Sequence, residues 1–121
     1  MRIEILINGI KLNGELKDSP LAGKIAGLLP LKASGSTWGE EIYFPIPVKA
    51  GMSNPQSVVS LGEIAFWGEG SCLCFFYGLT PISSPGQIKP ASPVEVVGKL
   101  IGDLEKLKTI TGKVEIEIKR V

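Results

Sequence analysis

Short segments in which apolar and polar residues alternate recur along this chain, with turn residues between them. Residues 2–7 place isoleucine at every second position, and residues 113–120 alternate valine or isoleucine with charged residues. Such a period of two indicates a β-strand with one buried face. Asn8-Gly9 follows the first segment and favours a tight hairpin turn, because both residues tolerate positive φ. The pattern therefore predicts a β-rich chain that opens with a hairpin.

Further strands are predicted over residues 10–16, 41–48, 64–67, 72–77 and 94–101. Asn13-Gly14 predicts a bulge or kink in the second strand. Residues 32–39 are small and polar, which indicates a loop. Pro45 and Pro47 cannot donate to a strand ladder, so that half of their strand is predicted at an edge or a barrel rim. The strands around the Gly68–Ser71 turn are apolar on both faces, which predicts that both faces are covered.

Two segments carry helix signals. Ser19-Pro20 is typical of a helix start, the apolar residues that follow lie on one helical face, and Pro30 ends the pattern. Asp103–Ile110 indicates a second helical turn. The chain then has seven or eight strands and no alternation of strands with helices. We predict one all-β domain over residues 1–121, either a closed antiparallel barrel or a sandwich.

Composition excludes several classes of partner. The 13 basic and 12 acidic residues leave a net charge of +1, and the basic residues are scattered. Nucleic-acid binding needs clustered cations, so no nucleic-acid partner is expected. No apolar run approaches the roughly 18–20 residues that cross a bilayer, and the first residues lack the features of a signal peptide. We expect a cytoplasmic protein with no membrane partner.

Residues that carry common chemistry are few. The chain has no histidine and two cysteines, so the usual general base near neutral pH is absent. Cys72 and Cys74 lie two apart in one predicted strand, which is poor disulfide geometry, and we expect buried free thiols. No metal site and no cofactor are predicted. Glu40 and Glu41 are adjacent in an extended segment and should point to opposite faces; one of them could pair with Glu63 across the sheet.

Several motifs in order resemble the small cyclophilin-like proteins of bacteria and archaea. They are the opening hairpin with Ser19-Pro20-Leu21-Ala22, then Thr37–Phe44, Gly62–Trp67, Cys74–Pro81 and Pro90–Val94. The resemblance covers nearly the whole chain. It implies a closed eight-stranded antiparallel barrel, with one short helix and a second helical turn over its ends. Most members of that family are uncharacterised, so the resemblance implies a fold more than a function.

The activity best known for the cyclophilin fold is prolyl cis–trans isomerisation. It needs an arginine that donates to the prolyl nitrogen and so weakens the partial double bond of the amide. The only arginines here are Arg2 and Arg120, at the chain ends, and residues 32–47 offer Lys32 instead. Lysine is a poor substitute for the planar guanidinium. We therefore expect no isomerase activity of ordinary strength, and no catalytic residue is assigned; a weak or atypical isomerase is the alternative.

The candidate site is a ligand pocket on the outer face of the barrel. Trp38, Tyr43 and Trp67 are predicted to line it, with Glu40 or Glu41 and Thr80 at its rim. Aromatic walls with a few polar groups suit a small molecule or an extended peptide, and the long loop over residues 80–93 could frame the groove. For Trp38 the competing interpretation is core filling beneath its loop. A role as an interaction or oligomer surface stays open as a third hypothesis.

Overall fold

A computed structural model of the protein describes residues 1–121. It contains eight strands, one α-helix and one 3-10 helix. In chain order these are β1 (Arg2–Ile7), β2 (Ile10–Leu16), α1 (Pro20–Ala26), β3 (Leu31–Trp38), β4 (Glu41–Pro45), β5 (Glu63–Trp67), β6 (Cys72–Phe76), β7 (Glu95–Ile101), the 3-10 helix (Leu104–Thr109) and β8 (Lys113–Arg120). None of the helices is both long enough and apolar enough to cross a membrane.

The strands close into a barrel in the order β1-β2-β7-β5-β6-β4-β3-β8. Every neighbouring pair is antiparallel. Closure gives each strand two partners and removes the open sheet edges that would otherwise expose unpaired backbone groups. The predicted closed eight-stranded antiparallel barrel is confirmed, and the sandwich alternative is wrong.

The helices close opposite ends of the barrel. Helix α1 joins the end of β2 to the start of β3, and the 3-10 helix joins the end of β7 to the start of β8. Ser19 caps α1 as its sequence predicts, since its hydroxyl accepts a hydrogen bond from the Ala22 amide at 3.3 Å. Side chains of both helices, including Ile25 and Leu107, belong to the main core.

Two local predictions are wrong. Residues 31–38 form β3, not a loop, because pairing with β8 and β4 satisfies their backbone although small polar residues have little intrinsic strand preference. Gly14 marks no bulge, since β2 pairs regularly with β1 and β7. The irregularity lies between Ile64 and Ala65, where the β5 register shifts against β7.

The barrel interior holds a core of 25 buried residues. Phe44 and Phe75 lie at its centre with their rings 5.2 Å apart in an edge-to-face arrangement, which aromatic pairs favour. Gly35 on β3 leaves the space for Phe44, because a Cβ there would lie 2.7 Å from the Phe44 Cβ and overlap the Tyr43 carbonyl oxygen. Two adjacent strands therefore approach each other at a position that only glycine allows.

A second, smaller core lies on the outer face of β5, β6 and β7. Its members are buried residues of these strands and of the segments that cross over them: Val59, Ala65, Cys74, Phe76, Ile88, Val94 and Val96. Isolated bridges from Gln56 to Val94 and from Val59 to Ile88 hold the crossing segments in place. Strand β6 is buried along its whole length as a result, which confirms the prediction that both of its faces are covered.

Glu95, at the start of β7, holds the loop before β5 in place. It is only 7% exposed, and its Oε1 accepts hydrogen bonds from the Ser53 amide at 2.7 Å and the Asn54 amide at 3.1 Å. Because charged acceptors make strong hydrogen bonds, we expect Glu95→Ala to lower the free energy of unfolding by about 1–3 kcal/mol. Urea denaturation measures this loss, and amide exchange should speed up at Ser53 and Asn54 first. Unchanged exchange at both amides would contradict the assignment.

Candidate functional site

Strand register brings four side chains together on the outer face of the barrel. Trp38 on β3 pairs with Glu41 on β4, and Tyr43 on β4 pairs with Cys74 on β6. Paired residues project to the same side of a sheet, and so do residues two apart in one strand. Phe44 projects into the core, so its neighbour Tyr43, and with it Trp38, Glu41 and Cys74, lie outside.

Trp67 completes the aromatic walls from β5. It pairs with Cys72 on β6 and packs against the outer core. The β5–β6 turn supports its ring, because a Cβ on Gly70 would overlap the six-membered ring of Trp67. Glycine at position 70 therefore lets the indole lie over the turn. The sequence pattern predicts the hairpin turn here but not this contact with Trp67.

The loop before β7 forms the remaining wall with Pro90, Ala91 and Ser92, followed by Val94. Thr80 fixes the base of this loop at a distance from the pocket. It is 5% exposed, its amide donates to Ser83 Oγ at 3.0 Å, and its hydroxyl donates to the Lys89 carbonyl oxygen. The hydroxyl of Thr80 is thus engaged within the loop, and Thr80 does not lie at the pocket rim as the sequence predicts.

These walls enclose a cavity of about 260 Å³. Six of the nine residues that line it are hydrophobic. The nine lining residues are Trp38, Glu41, Tyr43, Trp67, Cys74, Pro90, Ala91, Ser92 and Val94. Both tryptophans of the chain are among them. No lysine or arginine lines the cavity. Four of the six residues singled out in the sequence, Trp38, Glu41, Tyr43 and Trp67, therefore surround one space.

Two polar atoms in the walls of this cavity lack partners. Glu41 Oε1 and Trp67 Nε1 are the only buried side-chain nitrogen or oxygen atoms in the structure without a hydrogen bond. Glu41 as a whole is 6% exposed. A buried polar group without a partner costs about 1–3 kcal/mol, so proteins rarely keep one without a reason. An unused acceptor and an unused donor therefore belong to two residues that line the same cavity.

The environment of Glu41 favours its neutral form. Burial raises the pKa of this carboxyl to about 7, and the neighbouring Cys74 thiol opposes the rise only in part. Burial and the Glu41 charge also raise the pKa of the Cys74 thiol well above its ordinary value. The thiol stays protonated near neutral pH and is a poor nucleophile. The cavity therefore offers a carboxyl that titrates near neutral pH, together with hydrogen-bonding groups and aromatic side chains.

Glu40 faces a different part of the surface from Glu41, but it lies in the turn between β3 and β4 and not in an extended segment as the sequence predicts. Its side chain lies over Gly78, and its Oε2 is 3.7 Å from Lys108 Nζ. It lines a second, wider depression beside the 3-10 helix. Glu63 pairs with neither glutamate; its carboxylate accepts a hydrogen bond from the Ser60 amide at 2.7 Å.

Sequence patterns missed Cys74 and Val94 as pocket residues, whereas Pro90, Ala91 and Ser92 belong to the loop over residues 80–93 that was expected to frame the groove. Small apolar surroundings predict only that Cys74 is buried, and the register with Tyr43 places it beside the cavity. Both cysteines are buried and free, as expected. The structure brings no group of three potential metal ligands together.

The two arginines lie away from the cavity. Arg2 Nε on β1 lies 3.7 Å from Glu15 Oε2. Arg120 on β8 donates a hydrogen bond to the Ala26 carbonyl oxygen at 2.9 Å. Neither can reach a ligand held between Trp38 and Trp67, since neither lines that cavity.

Comparison with known proteins agrees with this architecture. A family model described as Cyclophilin-like matches residues 1–119. The chain is also similar to a hypothetical protein from Archaeoglobus fulgidus, solved in solution, with 35% sequence identity and a TM-score of 0.83. That alignment covers 100% of this chain and 95% of the archaeal one. No curated protein matches. The chain belongs to the cyclophilin-like family.

Proposed function

We propose that this protein binds a small organic molecule in the outer-face cavity and acts as a binding module. The observation that carries the proposal is the pair of unpartnered polar atoms, Glu41 Oε1 and Trp67 Nε1, in the walls of one aromatic cavity. A ligand that supplies partners to both atoms would recover the free energy that their burial costs. The apolar walls would add affinity by burying the rest of the ligand.

Cavity size favours a small molecule over an extended peptide. At about 260 Å³ the space lies just below the range of roughly 300–1,000 Å³ typical of drug-sized ligands. An extended peptide would need a longer groove with several side-chain subsites. The outer core and the loop before β7 instead limit the cavity on one side.

A ligand screen followed by tryptophan emission tests the proposal. Because both tryptophans line the cavity, we expect any ligand bound there to shift or quench most of the emission. Hits should perturb the amide signals of Glu41, Trp67 and Cys74 in a nuclear magnetic resonance titration. Glu41→Gln should change the affinity of such a hit at least tenfold, whereas Glu69→Gln, an exposed carboxylate in the β5–β6 turn, should leave it unchanged. Hits that perturb only the depression around Glu40 and Lys108 would contradict the proposal.

Prolyl isomerisation is the catalytic alternative, and a protease-coupled proline-isomer assay tests it. We expect no rate above buffer, because neither arginine lines the cavity and no other guanidinium is available in the chain. A rate clearly above buffer that Glu41→Gln abolishes would overturn the assignment as a non-catalytic binding module.

A further inference from the structure

The cavity holds a carboxylate without a counter-charge. Glu41 takes part in no salt bridge, and the interactions that act on its charge come from thiols on β6, not from a cation. No lysine or arginine lines the cavity, although the chain has 13 basic residues. A buried carboxylate is stable in its charged form only when it is paired. The missing partner is a positive charge, and the protein does not supply one here.

Three aromatic side chains line the same cavity as this carboxylate. All four phenylalanines are fully buried, whereas Trp38, Tyr43 and Trp67 keep partly exposed surface at the cavity. The faces of tryptophan and tyrosine rings attract cations, and aromatic groups arranged around a site bind alkylated ammonium ions. Three such rings beside one unpaired carboxylate suit a cation that also carries apolar substituents.

We propose that the ligand of this cavity is a small alkylammonium ion that carries an oxygen acceptor near its nitrogen. The cationic nitrogen would lie beside Glu41 among the aromatic rings, and the oxygen would accept a hydrogen bond from Trp67 Nε1. This assignment rests on the proposed function and specifies its ligand class. Such a ligand would give a partner to Glu41 Oε1 and to Trp67 Nε1, and it would supply the positive charge that the cavity lacks.

A neutral ligand satisfies these features less well. An amide could donate to Glu41 and accept from Trp67, but above the Glu41 pKa of about 7 it would leave the ionised carboxylate without a compensating charge in an apolar site. A desolvated cation is attracted to aromatic faces, and its attraction to the ionised carboxylate adds to that. An anionic ligand would face repulsion from Glu41 without any compensating cation.

The charge of Glu41 also predicts how binding depends on pH. The titratable groups that face Glu41 are Cys74 and Cys72 on β6 and Tyr43 on its own strand, and none of them is a cation. Trp38 on β3 and Ser92 in the loop before β7 also line the cavity, and neither side chain titrates. With a pKa of about 7 in the empty site, Glu41 is mostly protonated at pH 6 and mostly ionised at pH 8. Because only the ionised form attracts a cation, affinity should rise toward tenfold across this interval.

Choline and its neutral carbon isostere 3,3-dimethyl-1-butanol provide the test, since they differ in charge and share a shape and a hydroxyl. Tryptophan emission of the full chain is titrated with each probe at constant ionic strength, at pH 6 and pH 8. We expect choline to bind saturably and at least tenfold more tightly than the isostere at pH 8. Glu41→Gln should remove this preference and its pH dependence, and Glu69→Gln should keep both.

Each other outcome overturns a specific claim. Equal binding of the two probes, or choline binding that Glu41→Gln leaves intact, would overturn the alkylammonium assignment. If neither probe binds while the wider screen yields a neutral ligand in this cavity, the alkylammonium assignment falls and the proposed binding function stands. If neither the probes nor the screen give a ligand at this cavity, both fall.

Discussion

Gly35→Ala should destabilise the protein by about 3 kcal/mol, the upper end of the usual cost of overpacking and a large part of the roughly 5–15 kcal/mol that holds a typical domain together. The added Cβ would overlap the Tyr43 carbonyl oxygen and lie 2.7 Å from the Phe44 Cβ. Both obstacles belong to β4, so no side-chain rotation relieves them and β3 must move away from β4. Movement there would open the barrel beside its central aromatic pair. Urea denaturation followed by far-ultraviolet circular dichroism measures the effect.

Gly23→Ala is the matched control. It adds the same methyl group in α1, where no atom lies within 4 Å of the new Cβ. Alanine is favoured over glycine inside a helix by roughly 0.5–1 kcal/mol, so this variant should be slightly more stable than the wild type. If Gly35→Ala instead retains the wild-type urea midpoint, β3 and β4 are not packed as closely as the structure has them.

Glu41→Gln should stabilise the folded protein at pH 8 and have little effect at pH 4.5. In the unfolded chain the carboxyl ionises near its ordinary pKa of 4.5, whereas burial raises the pKa to about 7 in the folded barrel. Between these values the folded state holds a proton that the unfolded state has released, so stability is highest below pH 4.5 and is lost as the pH rises through 7. At 1.36 kcal/mol per pKa unit, the loss at pH 8 is about 3 kcal/mol.

Glutamine cannot ionise, so the variant avoids the loss of folding stability that the wild type undergoes as the pH rises. The measurement is the difference in unfolding free energy between the variant and the wild type at pH 4.5 and at pH 8, which cancels the titration of every other group. Glu69→Gln should show no such difference, because its side chain is exposed. A Glu41→Gln variant that is equally stable relative to the wild type at both pH values would refute the burial of an unpaired carboxylate.

The two buried glutamates of the barrel should affect stability in opposite directions. Glu95 accepts three hydrogen bonds from Ser53 and Asn54 and fastens a loop, so replacing it should weaken the fold. Glu41 is equally buried and has an unpartnered oxygen, so replacing it should strengthen the fold at neutral pH. A residue that costs stability and lines a cavity is typical of a binding site.

Local sequence patterns determined much of the architecture, because alternation and turn chemistry act over a few residues. Residues 2–7 and 113–120 each carry a period of two and form β1 and β8. Asn8-Gly9 forms the first turn with positive φ at both residues, 47° and 83°, and Ser19-Pro20 begins α1.

Only the tertiary structure decided what has no local signal. Residues 31–38 become a strand because β8 and β4 supply their backbone partners, which small polar side chains do not predict. Thr80 lies within its loop and away from the cavity rim because it makes hydrogen bonds with Ser83 and Lys89, and these partners cannot be inferred from the local sequence. Trp38, Glu41, Tyr43 and Trp67 come from three strands, and they surround one cavity because the barrel closes in a particular register. Alternation along a strand gives each residue a face, but the register between strands decides which residues share it.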